Sequence, residues 1–233
     1  YILQTFNVIG VNELIDDDNK NYSVVVNPLV SSDNAYNNMN PNDLTFTNQD
    51  NDSAAVIITG SNLVVAEILS SSQFQIRLAT EPTSNVTVNI TSSDTSEGTV
   101  SVASVLFTPL NWMTDVPVTV LGVDDLLSDG DVNFSITFPS ITSSDTKYSA
   151  ISIPAINAKC LDNENIGLNI STSSPFSYEG ATSAILTFTL MSQPTADVTY
   201  VVTSNGTSQV SLSASTLTFT NSNWNQPKNI TVT

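Results

Sequence analysis

Apolar residues fall in short runs along this chain. Between positions 54 and 165 they either alternate with polar residues or continue unbroken for a few positions. Asn, Asp, Ser, Gly and Pro separate each run from the next. A period of two predicts strands, here at 55–66, 73–80, 85–91, 98–108, 116–122, 132–139 and 150–160, with a break in the fourth near Ala103. Stretches with a helical period are scarce. Seven short strands in about 110 residues fit an all-β, immunoglobulin-like sandwich.

The pattern repeats. At an offset of 112 the chain falls into register with itself without insertion. Gly10-Val11 meets Gly122-Val123, and Ser31-Ser32-Asp33 with Tyr36 meets Ser143-Ser144-Asp145 with Tyr148. Asp50-Asn51-Asp52 meets Asp162-Asn163-Glu164, Pro82 meets Pro194, and Asn111-Trp112 meets Asn223-Trp224. A new strand pattern begins after the acidic run at 50–52. Residues 1–53 therefore read as the rear part of one repeat, 54–165 as a complete repeat, and 166–233 as the front part of the next. Two explanations fit this phase: a stretch of one longer chain, or separate chains that complete one another head to tail.

Strand parity then sorts the charges. If successive strands run up and down, the connections after the first, third and fifth strands share a pole with the exit of the last. That pole collects Glu67, Asp94, Glu97, Asp124, Asp125, Asp129, Asp131, Asp162 and Glu164, whereas the opposite pole holds Glu81, Asp115 and Asp145. No acid is predicted within a strand. Two like charges about 4 Å apart repel by roughly 1 kcal/mol in water and about 4 kcal/mol at an effective dielectric near 20. Lys159 is the one basic residue expected nearby. The crowding is relieved by spreading into water, by raised pKa values or by a bound cation. Carboxylate, Asn and backbone oxygens are hard ligands that suit Ca2+. With no His and one Cys, an ordinary zinc site is excluded.

Comparison of the repeats narrows the ligand set. Glu67 aligns with Glu179, Asp125 with Glu13, Asp129 with Asp17, Asp162 with Asp50, and Glu164 with Asp52. Asp124 and Asp131 become Asn12 and Asn19, which still offer oxygen. Asp94 and Glu97 become Gly206 and Gln209 and are set aside as ligands.

Overall composition excludes several functions. A net charge of −17 with only five basic residues leaves no stripe for nucleic acid and disfavours an anionic membrane surface. No apolar run approaches membrane-spanning length. Without His, no Ser-His-Asp or Cys-His arrangement exists, and eight Gly leave little for a phosphate-cradling loop. The lone Cys160 sits in a predicted strand as a small core residue. Trp112 and Trp224 are expected to anchor a sandwich edge. Asp145 with Tyr148 is expected to build a side-chain-supported turn.

Several segments together resemble the Calx-β family. Tyr178-Glu179-Gly180, Ala184–Leu190, Pro194-Thr195-Ala196 and residues 198–203 are similar to the opening half of that module. Leu217-Thr218-Phe219-Thr220, residues 118–125 and Asp162-Asn163-Glu164 are similar to its later strands and acidic terminus. The resemblance implies a sandwich that binds Ca2+ through loops at the pole where the last strand leaves. It would make Glu67, Asp125, Asp129, Asp162 and Glu164 ligands. The Asn111-Trp112 pair and the Ser143 to Tyr148 segment look more like repeats of large bacterial surface proteins, which points to architecture and not to signalling.

The expected function is structural: a module of an extracellular surface or filament protein, stiffened by Ca2+ at the acidic loops between repeats. Its partners would be neighbouring repeats of the same chain or a head-to-tail homopolymer. A module that binds a glycan or a cell-surface ligand is the alternative, in a secreted enzyme or an adhesin.

Overall fold

The computed structural model describes residues 4–68, 70–174, 176, 180 and 183–233. Two strands precede the central unit: β1 (Lys20–Val24) and β2 (Leu44–Asn48). The central unit opens with β3 (Val56–Thr59), β4 (Leu63–Ala66), β5 (Ser71–Leu78), β6 (Val86–Asn89), β7 (Thr91–Ser92), β8 (Gly98–Val100) and β9 (Ser104–Phe107). It continues with β10 (Val116–Gly122), β11 (Val132–Thr137), β12 (Ile141–Ser143), the helical turn α1 (Thr146–Ser149) and β13 (Ile156–Leu161). Five strands follow: β14 (Leu168–Thr172), β15 (Ala184–Leu190), β16 (Val198–Val201), β17 (Thr216–Phe219) and β18 (Lys228–Val232). The fold is all-β.

In the central unit one sheet has the order β3-β5-β10-β8, a second β4-β13-β11-β7 and a third β12-β6-β9. Their inward side chains form one core: Phe74, Ile76, Val118 and Val120 from the first sheet, Val65, Phe134, Ile136 and Cys160 from the second, and Val86 and Val88 from the third. The architecture is a β-sandwich, with the alternation of each strand deciding which face is buried.

Two of the expected strands change sheet midway. The stretch predicted as one strand at 55–66 is β3 and β4. Between them Gly60 (φ 106°) and Asn62 (φ 58°) adopt left-handed backbone. β3 then pairs antiparallel with β5, and β4 pairs parallel with β13 in the opposite sheet. The stretch at 98–108 divides at Ser101–103 into β8 and β9, as its weak pattern near Ala103 suggested. The last strand begins at Ile156, later than the expected 150, and residues 150–155 between α1 and β13 are outside any strand.

Pairing registers recur at the same offset as the sequence. Leu168 pairs with Leu190 as Val56 pairs with Leu78, and Val198 pairs with Phe219 as Val86 pairs with Phe107. Lys20 pairs with Asn48 as Val132 pairs with Cys160. Contacts between units recur too: the Glu81 N–H donates to Leu14 O at 2.7 Å, and the Gln193 N–H donates to Leu126 O at 2.7 Å. Lys147 adds ion pairs across the first of these seams, to Asp16 at 2.7 Å and Asp18 at 2.6 Å.

The pole opposite the acids is closed by α1. Asp145 caps it, accepting from the Lys147 N–H at 2.9 Å and the Thr83 N–H at 2.8 Å. Tyr148, 1% exposed, donates to Thr80 O at 2.7 Å and accepts from the Thr80 N–H at 3.1 Å. Trp112 lies in the core, with its carbonyl accepting from the Leu78 N–H at 2.9 Å. Removing a buried hydroxyl leaves both Thr80 groups short of a partner. Tyr148→Phe is therefore expected to lower stability by about 1–3 kcal/mol, and Tyr148→Ala by about 3–5 kcal/mol. Urea midpoints of the purified variants measure both.

Candidate metal centre

Every acid that parity assigned to the crowded pole lies in a connection and not in a strand. Local geometry brings some of them together. Glu67 follows β4 directly, its N–H donating to Leu161 O at 3.2 Å beside the end of β13. Gly122, at the end of β10, passes so close to the β4 backbone that a Cβ there would lie 2.1 Å from Ala66 O. Only glycine fits this approach. It delivers the loop after β10, with Asp124 and Asp125, to the loop after β13, with Asp162 and Glu164.

Carboxylate oxygens of Glu67, Asp125 and Glu164 lie within 4.8 Å of one another. Glu67 is 2% exposed, and its Oε2 accepts from the Asn163 N–H at 3.2 Å. Asp124 borders the same depression, which Glu67, Ile68, Asn163 and Glu164 also line. It accepts from Asn163 Nδ2 at 2.9 Å. Glu164 Oε2 is buried and has no hydrogen-bond partner. Burial first, and Glu67 second, push the Glu164 carboxyl up to about 7.

The remaining sequence-chosen acids are already engaged. Asp162 spends both oxygens on backbone, accepting from the Glu164 N–H at 2.8 Å and the Gly130 N–H at 2.7 Å. Asp131 pairs with Lys159 at 2.6 Å and accepts from the Asp162 N–H at 3.2 Å. The Lys159 ammonium first, and the Asp162 N–H after it, hold its carboxyl below the usual range. Asp129 lines the seam with the following unit. The preceding unit repeats this scaffold. Asp50 accepts from the Asp52 N–H at 2.9 Å and the Asp18 N–H at 2.8 Å, and its own N–H donates to Asn19 at 2.9 Å. Asp17 also donates its N–H to Asp50, at 3.0 Å. Glu13 is exposed on the neighbouring loop, and Asp52 is partly buried. Glu179, the counterpart of Glu67, lies outside the described residues.

One residue set aside on repeat comparison belongs to the group. Glu97 is 7% exposed, with a carboxylate oxygen within 4.8 Å of one on Glu67 and of the Cys160 sulfur. Burial, then the negative charges of Asp129, Asp94, Glu67 and Asp125, raise its pKa. Burial and the same two glutamates raise that of the Cys160 thiol. Strand parity placed Glu97 at the crowded pole, and Gln209 at its counterpart in the next unit led the repeat comparison to set it aside.

The donor set fits a hard divalent cation. Three carboxylates converge, and one of their oxygens is buried without a partner. Glu67, Asp125 and Glu164 would hold such an ion, with Asp124 at the rim. The ion would supply the missing counter-charge and tie three separate loops to one point.

No family model and no curated protein matches the chain. The chain is similar to several solved structures at low identity. The apo form of the Calx CBD1 domain matches 47% of this chain and 98% of its own, at 13% identity and TM-score 0.36. The calcium binding domain CBD12 of CALX1.1 matches 76% and 74%, at 15% identity and TM-score 0.37. Domains 4-9 of surface layer protein SbsC match 82% of this chain and 28% of theirs, at 16% identity and TM-score 0.28. Likenesses this distant carry no argument, and fold and function rest on the chain's own residues.

The raised Glu164 and Glu97 values fix a sign. Between about 4.5 and about 7 the folded, cation-free protein keeps a proton on Glu164 that the unfolded chain releases. Folded protein binds more protons there, so stability falls as pH rises through that window. Calorimetry in chelator is expected to show Tm dropping across it, and Glu164→Gln is expected to flatten the slope.

Proposed function

We propose that this chain is a stretch of an extracellular, repetitive surface or filament protein built from Calx-β-like sandwich repeats of 112 residues. Residues 54–165 are one complete repeat, 1–53 the rear part of the one before and 166–233 the front part of the one after. Ca2+ at the acidic loops stiffens each repeat where it meets its neighbour.

The observation that carries this reading is the convergence of Glu67, Asp125 and Glu164 within 4.8 Å, with Glu164 Oε2 buried and unpartnered. Position supports it as well. The loop that carries Asp125 also carries Leu126, whose carbonyl takes the Gln193 N–H of the following unit. Glu164 lies four residues before Leu168, where β14 begins. A cation that fixes these loops would fix the seam. Extracellular sites of this kind work at about 10⁻⁴–10⁻³ M Ca2+, a range met outside cells. The strongly acidic, Ser-, Thr- and Asn-rich surface suits the same setting.

Scanning calorimetry and titration calorimetry on the 1–233 chain test the proposal. At a Ca2+ concentration about 100-fold above Kd, linkage gives about 2.7 kcal/mol, and Tm is expected to rise by about 5 °C or more. Glu164→Gln should remove most of the rise, while Asp115→Asn at the opposite pole should keep it. An unchanged Tm together with no heat of binding would remove the ion from the account.

A further inference from the structure

Glu67 belongs to two groups of ligand atoms. With Asp125 and Glu164 it makes the site described above. With Glu97 and Cys160 it makes a deeper one: two carboxylate oxygens and a sulfur within 4.8 Å of one another, on three buried residues. Local structure builds this second group inside the complete central unit. Glu97 stands directly before β8, and its carbonyl accepts from the Val123 N–H at 3.0 Å. Gly98 pairs with Gly122 across β8 and β10, and a Cβ at Gly98 would lie 2.4 Å from the Phe134 ring. These close approaches hold Glu97 against the end of β10. Strand alternation turns Cys160 inward from β13 toward the same space.

The Glu97 side chain is the observation that asks for a ligand. It is 93% buried, being 7% exposed, and among the described residues no N–H or O–H donates to its carboxylate. Lys159, its nearest basic neighbour on β13, is paired with Asp131 at 2.6 Å. A buried carboxylate with neither donor nor counter-charge is costly. Ligand atoms that sit roughly 2.0–2.3 Å from one ion are about 3–4.5 Å apart, close to the spacing of this group. Sulfur sets the class of ion. Ca2+ takes oxygen ligands, whereas a thiolate beside carboxylates suits a softer cation.

We propose that Glu67, Glu97 and Cys160 form a second, deeper metal site for a thiophilic divalent cation of the zinc and cadmium class, with Glu67 shared between it and the calcium site. The inference goes beyond the calcium reading and stands on these three side chains whether or not Ca2+ fills the outer group. It is not the four-ligand Cys and His set of an ordinary zinc centre. Glu67 also lines the depression beside Asp124 and Glu164, which gives the ion a path from solvent. Binding converts the Cys160 thiol to thiolate and releases one proton. The site belongs to this repeat: the preceding unit has Asn48 where Cys160 stands, and the following unit has Gln209 where Glu97 stands.

Titration of the metal-free 1–233 chain with Cd2+ tests the site, followed by ultraviolet absorption of the thiolate-to-Cd2+ charge-transfer band. Cys160 is the chain's one cysteine, so the band has a single possible source. It is expected to saturate with one sulfur-bound Cd2+ per chain and to persist in excess Ca2+. Cys160→Ala should abolish it, and Glu97→Gln should weaken Cd2+ binding by about tenfold or more. Cadmium NMR of the wild-type chain reads sulfur coordination without any variant. No band at saturating Cd2+, a cadmium resonance typical of oxygen ligands alone, or affinity unchanged in Glu97→Gln would overturn the proposal. The two metal readings fail separately. Heat of Ca2+ binding without the Cd2+ band removes the deeper site alone, and the band without that heat removes the calcium site alone.

Discussion

Charge crowding at one pole is the constraint on which the arrangement of this molecule turns. Glu67, Asp125 and Glu164 come from three different connections, yet their oxygens lie within 4.8 Å of one another. Such a cluster is unfavourable unless something compensates it, since the repulsion grows as water is excluded. The protein compensates part of it internally. Asp131 is matched by Lys159, and Asp162 is absorbed by backbone N–H groups. These contacts hold the loops in place while leaving the inner three acids without a counter-charge. A rigid frame around an unbalanced centre is what a cation site requires.

The same loops form the seam between units, so local electrostatics and long-range shape are coupled. Asp125 is adjacent to Leu126, which bonds the next unit, and Asp162 is a few residues from β14. The preceding seam uses the same backbone contact, from Glu81 to Leu14, and adds Lys147 against Asp16 and Asp18. Those ion pairs do not recur in register at the following seam, because positions 128 and 130 are Ser and Gly where positions 16 and 18 are Asp. Neighbouring seams therefore share a backbone geometry and differ in their charges.

Packing imposes the second constraint. A sandwich strand is stable because both its sheet edge and its inner face are occupied. In the central unit both conditions are met within 54–165.

The sequence alone determined the strands, the offset of 112 and the pole on which the acids fall. These are legible because alternation is a local property and parity follows from counting connections. It also marked the break near Ala103, where the alternation weakens. Tertiary structure decided the rest. The split of 55–66 into two strands depends on which sheet each half joins, and left-handed Gly60 and Asn62 acquire meaning only from those partners. Glu97 was set aside because its counterpart is Gln209; its burial beside Glu67 follows from the packing of two sheets. The division of the acids into a converging trio and a supporting frame depends on distances between loops far apart in the chain. Periodicity carries the direction of a side chain from its own backbone, but which other side chains it meets is fixed only when the sheets close on one another.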